Sequence, residues 1–237
     1  MSIDSKGDST IQTQAGHSSK ESGGKVDARV ALLNAAKKVF AQKGYEGATV
    51  KDLADEAGLN VSLVSYHFGG KEGLYRACIV GFAEERVDAM ERLLKAPETS
   101  EEFRLRLRLF GEEMTDVHIR EPDLCDIIHR EMDVSNPIAI EIFQSVFFRL
   151  FLGLVSFLKA AEKNKIIRKP KNYEVTTSLV FGSLVECLRS EKKRALVGHG
   201  SIKDKKFRDT FLDSWIDFVW HGVAAAKSEK SSEEGES

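Results

Sequence analysis

Residues 49–71, TVKDLADEAGLNVSLVSYHFGGK, decide how the rest of the chain is read. Thr49 followed by Asp52 is the pattern of a capping box, with Thr49 as N-cap and the aspartate reaching back to its amide. Val50, Leu53, Ala54 and Ala57 then recur at helical spacing and give one apolar side. Gly58 follows at once, where a left-handed residue ends a helix at little steric cost. Leu59 can pack into the turn, and Asn60 is a good cap for a second helix. In that helix Val64 and Phe68 stand four residues apart and point inward. Ser62, Ser65, Tyr66 and His67 are left on the other side. Gly69 and Gly70 stop it, and Lys71 opens the next helix. Two short helices joined by a tight turn, the second showing a polar face, have the geometry of a helix-turn-helix.

Upstream, Asp27 is placed to cap a helix running to about Lys43, with Leu32, Leu33, Ala36, Val39 and Phe40 as its apolar stripe and Gly44 as its end. This helix buttresses the pair, because two short helices cannot hold a core alone. The segment from Leu32 to about Leu74 resembles the DNA-binding domain of TetR/AcrR-family transcriptional regulators. The resemblance rests on Ala36, Phe40 and Gly44, then Thr49, Ala54, Ala57-Gly58, His67-Phe68 and Lys71-Glu72-Leu74, all at fixed spacing. The variant YHFGGKEGLY is similar to the subgroup that includes the cefoperazone and chloramphenicol sensitivity regulator. Ser65 departs from the pattern: many members carry a tyrosine there as a backbone contact, and here Tyr66 is the only tyrosine of the pair.

A recognition helix in the major groove puts Val61, Ser62, Leu63, Ser65, Tyr66 and His67 near DNA. Ser62 and Ser65 allow close approach, Val61 and Leu63 suit thymine methyls, and Tyr66 and His67 suit phosphates. A capping or buried role beside Phe68 is the alternative for His67, and a structural role is the alternative for Tyr66. Thr49, Lys51 and Lys71, near helix N-termini, are candidates to grip the phosphate backbone. The helix offers no Arg, Asn or Gln on its exposed part after Asn60, so bidentate base reading is sparse and much of the surface positions rather than specifies.

Composition bounds the alternatives. With 35 Lys and Arg against 37 Asp and Glu in 237 residues, the chain is nearly neutral, which excludes a strongly basic nucleoid-type protein. Cys78, Cys125 and Cys187 lie far apart without a C-x-x-C pair and read as reduced thiols of a cytoplasmic protein. No signal peptide and no apolar run of membrane length is found, so a soluble chain is expected. Residues 1–25 and 227–237 are polar and read as disordered tails, the second acidic. A DNA-draping arm using Lys6, Lys20 and Lys25 is the alternative for the first.

Between the tails, residues 26–75 form the expected DNA-binding headpiece and 76–226 a helical regulatory and dimerisation domain, so the fold class is all-α. A long helix from Lys71 to about Leu94 carries Tyr75, Ile79, Phe82 and Val87 and links headpiece to body. Thr99 with Glu102 opens another helix, and Pro122 begins a short one. The stretch from Ile138 to Phe157 is apolar on nearly every side, which predicts burial all round. Helices over 173–196 and 204–226 follow, divided by a Gly-His-Gly loop. The family resemblance implies that these last two pair with their symmetry mates in a homodimer; an intrachain core is the alternative for any one residue.

The resemblance also implies a pocket among the middle helices for a small-molecule effector. Phe110, Met114, His118, Phe143, Phe147, Phe151 and Phe181 are the candidate lining, with His118 or His129 as polar handle; ordinary packing is the alternative. Asp126 and His129 share a helix face, yet no standard ligand spacing appears, so no metal is assigned. No cofactor, no membrane and no catalytic residue is expected, because no phosphate-cradling glycine loop, nucleophile elbow or metalloprotease motif occurs. The expected function is a dimeric repressor on a palindromic DNA operator, released by an effector. An activator or architectural protein without a ligand is the alternative.

Overall fold

The computed structural model describes residues 20–133 and 137–224. It is all-α, with no strand among the described residues: α1 (Lys20–Gly47), α2 (Val50–Ala57), α3 (Ser62–Phe68), α4 (Lys71–Leu93), α5 (Ser100–Arg120), α6 (Pro122–Asp133) and α7 (Pro137–Ile142). A π-helical turn, Phe143–Phe147, joins α7 to α8 (Phe148–Lys163), and α9 (Tyr173–Arg189), α10 (Glu191–Leu196) and α11 (Lys205–Val223) follow.

Two apolar clusters hold these helices. The first gathers Leu32, Phe40, Leu53, Val64, Leu74 and Tyr75 of the headpiece with Leu124 and Ile127 of α6. Phe40 meets Tyr75 edge-on with centroids 5.0 Å apart, a favoured aromatic geometry. The second gathers Phe103, Leu107 and Phe110 of α5 with Leu154, Phe157, Leu184 and Trp215. Burying each such Leu or Phe contributes roughly 1.5–3 kcal/mol. Helix α4 belongs to both: Leu74, Tyr75, Cys78 and Ile79 enter the first cluster and Ala83, Val87, Met90 and Leu94 the second. It is one continuous helix through two cores.

Several boundaries differ from expectation. The backbone is helical from Lys20, so Asp27 lies inside α1 rather than at its N-cap, and residues 20–25 are not part of a tail; extending a packed helix is easier than starting one. Gly44, at φ 72° and ψ 175°, breaks the helix where predicted. The apolar stretch after Pro137 is not buried all round: Ile140, Phe148 and Leu152 are exposed, since this helix lies at the side of the bundle with one face outward. The helix predicted from Tyr173 turns at Ser190 into α10. Residues 1–19 and 225–237, which hold most of both expected tails, lie outside the described residues.

Candidate functional site

The outward face of the headpiece is set by its caps. Thr49 Oγ1 accepts the Asp52 amide at 3.0 Å and Asp52 Oδ2 accepts the Thr49 amide at 2.9 Å, completing the capping box. The Lys43 ammonium, 2.7 Å from Asp52 Oδ1, and then the Thr49 amide and hydroxyl hold the Asp52 carboxyl down at about 2. Gly58 closes α2 in the left-handed region at φ 65°, and the Leu59 amide donates to Ala54 O at 2.9 Å. Asn60 Oδ1 then accepts both the amide (2.9 Å) and the hydroxyl (2.8 Å) of Ser62, which starts α3.

Val64 is fully buried, so α3 cannot roll on its long axis without exposing it. Val61, Ser62 and Ser65 therefore face outward, with Tyr66 66 % exposed. His67 is half-buried between Tyr66, edge-on at 4.9 Å, and Phe68, at 6.3 Å. Thr49 and Lys51 are exposed at the start of α2.

Two of the expected DNA-contact residues make contacts within the headpiece. Leu63 is half-buried against the headpiece cluster, as is Leu59 one turn away, and part of its side chain helps to close the α2–α3 turn. Lys71 turns its ammonium inward: Nζ donates to Tyr45 O at 2.9 Å and Ala48 O at 3.1 Å, and sits 4.3 Å from the Tyr45 ring centroid. It pins the chain between α1 and α2, whose carbonyls are left over where α1 ends. Conversely, Arg29 was not anticipated; its guanidinium lies 5.3 Å from the Phe68 ring and adds a cation beside α3. Only packing brings α1 to that position.

Contacts from the body reach the headpiece through α6 and the α5–α6 junction as well. Arg130 donates to Phe40 O at 3.1 Å and Ala41 O at 2.6 Å, and Lys37 pairs with Glu121 at 3.0 Å.

The body contains a cavity of about 390 Å³. Met114, His118, Phe147, Phe151 and Phe181 line it as expected, whereas Phe110 does not. Phe110 is fully buried in the body cluster, its ring 6.4 Å from that of Phe181. The side chain of Phe143 lies outside the described residues. Phe82, Arg86 and Met90 were missed, although their four-residue spacing places them on one face of α4. His118 Nδ1 lies 2.7 Å from Met114 O and its Nε2 3.4 Å from His129 Nε2. Burial lowers the pKa of His118, opposed by the Met114 carbonyl and the charge of Asp126. Arg86 Nη1 is 3.3 Å from Glu113. Among the described residues no group of three or more His, Cys, Asp or Glu is placed to hold a metal ion, and no helix is long and apolar enough to cross a membrane.

The profile of the bacterial regulatory proteins of the tetR family matches residues 32–78, which run from within α1 through α2 and α3 into the first turns of α4. Residues 32–78 are a TetR-family domain. The chain is 32 % identical over 104 residues to the transcriptional repressor AcnR of Corynebacterium efficiens, a match covering 40 % of this chain and 55 % of AcnR. It thus spans about half the length of that relative. Over 78 residues it is 36 % identical to the transcriptional dual regulator CecR of Shigella flexneri, covering 30 % of this chain and 34 % of CecR. Its fold matches FadR of Bacillus subtilis, solved with stearoyl-CoA, at a TM-score of 0.66 over 82 % of this chain and 98 % of that one, with 16 % identity. The likeness is one of fold, and it covers the helical body as well as the headpiece.

Proposed function

We propose that the protein is a homodimeric transcriptional regulator of the cytoplasm that binds a two-fold symmetric operator, one headpiece per half-site, and releases it when a small molecule fills the body cavity. The observation that carries this reading is the outward face of α3, locked by the capping box and by buried Val64. Val61, Ser62 and Ser65 would approach base edges, while Thr49, Lys51, Tyr66 and His67 would hold phosphates. Arg29 would add to the positive field there.

Dimerisation through α9 and α11 is supported by apolar residues that the chain leaves in water: Val175 at 58 %, Leu179 at 67 % and Phe218 at 67 % exposure. Their neighbours Val180, Leu184, Trp215 and Val219 are buried, so each helix has one face for its own core and another unused. Exposed apolar faces of this kind mark interfaces.

Release would follow from unequal ligand affinity for two conformations. Helix α4 shares both cores, and α6 lines the cavity with His129 while the next residue, Arg130, holds the carbonyls of α1. A ligand that moves either helix shifts the headpiece. Repression is the direction named for AcnR; the reading without a ligand would call for a filled body core, which the cavity argues against.

Selection from random duplex DNA with the purified, ligand-free protein tests the proposal. Enrichment of a two-fold symmetric site is expected. No enriched site from folded, dimeric protein would overturn it.

A further inference from the structure

We propose that the cavity receives an amphipathic carboxylate, with its apolar body among the aromatic and methionine side chains and its head against Arg86, beside the His118–His129 pair. This rests on the reading of the cavity as an effector site and names the chemistry of the effector.

The walls fix the body of the ligand. Phe82, Met90, Met114, Phe147, Phe151 and Phe181 are apolar and line the cavity. At about 30 Å³ for each water-sized group, its 390 Å³ accommodates about a dozen non-hydrogen atoms.

The polar groups fix the head. Of the described residues lining the cavity, Arg86 alone carries a fixed charge and none is acidic. The Cys125 thiol is pushed up to about 12, by burial first, and stays neutral; the Arg86 charge acts on it in the opposite direction, which places the guanidinium near the α6 wall. Glu113 meets Arg86 only through Nη1 and does not line the cavity. The Nε–H of Arg86 is buried and has no acceptor among the described residues. A buried donor without an acceptor is costly, and a carboxylate supplies a charged acceptor in addition to the one that Glu113 gives Nη1.

The histidines mark the same junction of α4, α5 and α6. Because the Met114 carbonyl can only accept, His118 carries its proton on Nδ1, so Nε2 of the neutral ring accepts from His129. The two rings bond to each other, and Arg86, paired with Glu113 through Nη1, is the charged lining group with a donor still to place. A neutral hydroxyl or ester of the same length gives the cavity its apolar contacts and only a neutral acceptor, and a hydrogen bond between charged partners is about twice as strong.

Isothermal titration calorimetry on the full chain, with decanoate, 1-decanol and methyl decanoate as probes, tests the proposal. Decanoate is expected to bind at least tenfold tighter than either neutral probe, and Arg86→Met to bring decanoate down to the affinity of decanol while leaving decanol unchanged. Equal affinities for the three, or no binding of any, would overturn the assignment. The comparison of probes on the unmodified protein decides this even if Arg86→Met does not fold. Operator binding is followed on the same preparation: a protein that selects an operator yet does not discriminate the probes refutes the carboxylate alone, whereas failure to select an operator refutes the regulator reading.

Discussion

Replacing Lys71 by Met separates two roles that one lysine near a DNA-binding helix can have. The substitution keeps the apolar stem and removes two hydrogen bonds, to Tyr45 O and Ala48 O, and the charge over the Tyr45 ring. Hydrogen bonds from a charged donor contribute about 1.5–3 kcal/mol when well shielded, and a cation over an exposed ring about 0.5–1. Lys71 is only half-buried, so water recovers part of both carbonyl contacts, and a total of about 2–3 kcal/mol is expected. With a urea slope near 2 kcal/mol per molar, the unfolding midpoint should fall by roughly 1 M at unchanged slope. Operator affinity measured across salt concentrations provides the second readout. Because the ammonium is spent on protein carbonyls, the salt dependence should match that of the unmodified protein, whereas a lost phosphate contact would lower its slope by about 0.9. An unchanged urea midpoint with a slope reduced by about one would refute the reasoning and return Lys71 to the DNA surface.

A methyl group on Gly73 would lie 1.8 Å from the Phe68 carbonyl oxygen, a backbone atom that cannot rotate away, so Gly73→Ala should cost about 3 kcal/mol and loosen the α3–α4 turn; thermal unfolding checks this. Asp52 is held at about 2, below its ordinary 3.8, so its stabilisation of α2 is complete above roughly pH 4 and is lost as pH falls toward 2; Asp52→Asn should flatten that part of a stability–pH profile. Burial pushes Cys78 and Cys125 up to about 12, so both remain thiols at neutral pH. Only the partly exposed Cys187 should then be alkylated in the native protein, as mass spectrometry after brief iodoacetamide treatment would reveal.

Much of the headpiece was legible because its signals are local. Thr49 and Asp52 are three residues apart, Gly58 and Asn60 border one turn, and Val64 and Phe68 share one face of a seven-residue helix. A cap or a facing is decided by neighbours in the chain, so these readings needed no knowledge of what lies across the core. The helical stripes of the body were legible for the same reason, and so was the place of α4 between headpiece and body. Periodicity failed where a helix was apolar on every side: it could not tell which side of the stretch from Ile138 to Phe157 the bundle would leave uncovered.

What remained hidden depends on which helices touch. The lysine opening α4 has the same local sequence whether its ammonium meets a phosphate or Tyr45 O; only the close approach of the chain between α1 and α2 decides. Arg130 reads as a cation on the polar side of α6 until that helix is laid against the end of α1. Arg86 falls on the same α4 face as Phe82 and Met90, yet it becomes part of a cavity only because α5, α6, α8 and α9 leave space opposite it. By itself the sequence determined an all-helical chain with a helix-turn-helix near its start, since hydrogen bonding, caps and facing act over a few residues. Tertiary structure decided which charges hold the protein together and which remain for a ligand, because a side chain's partner is set by where distant helices meet.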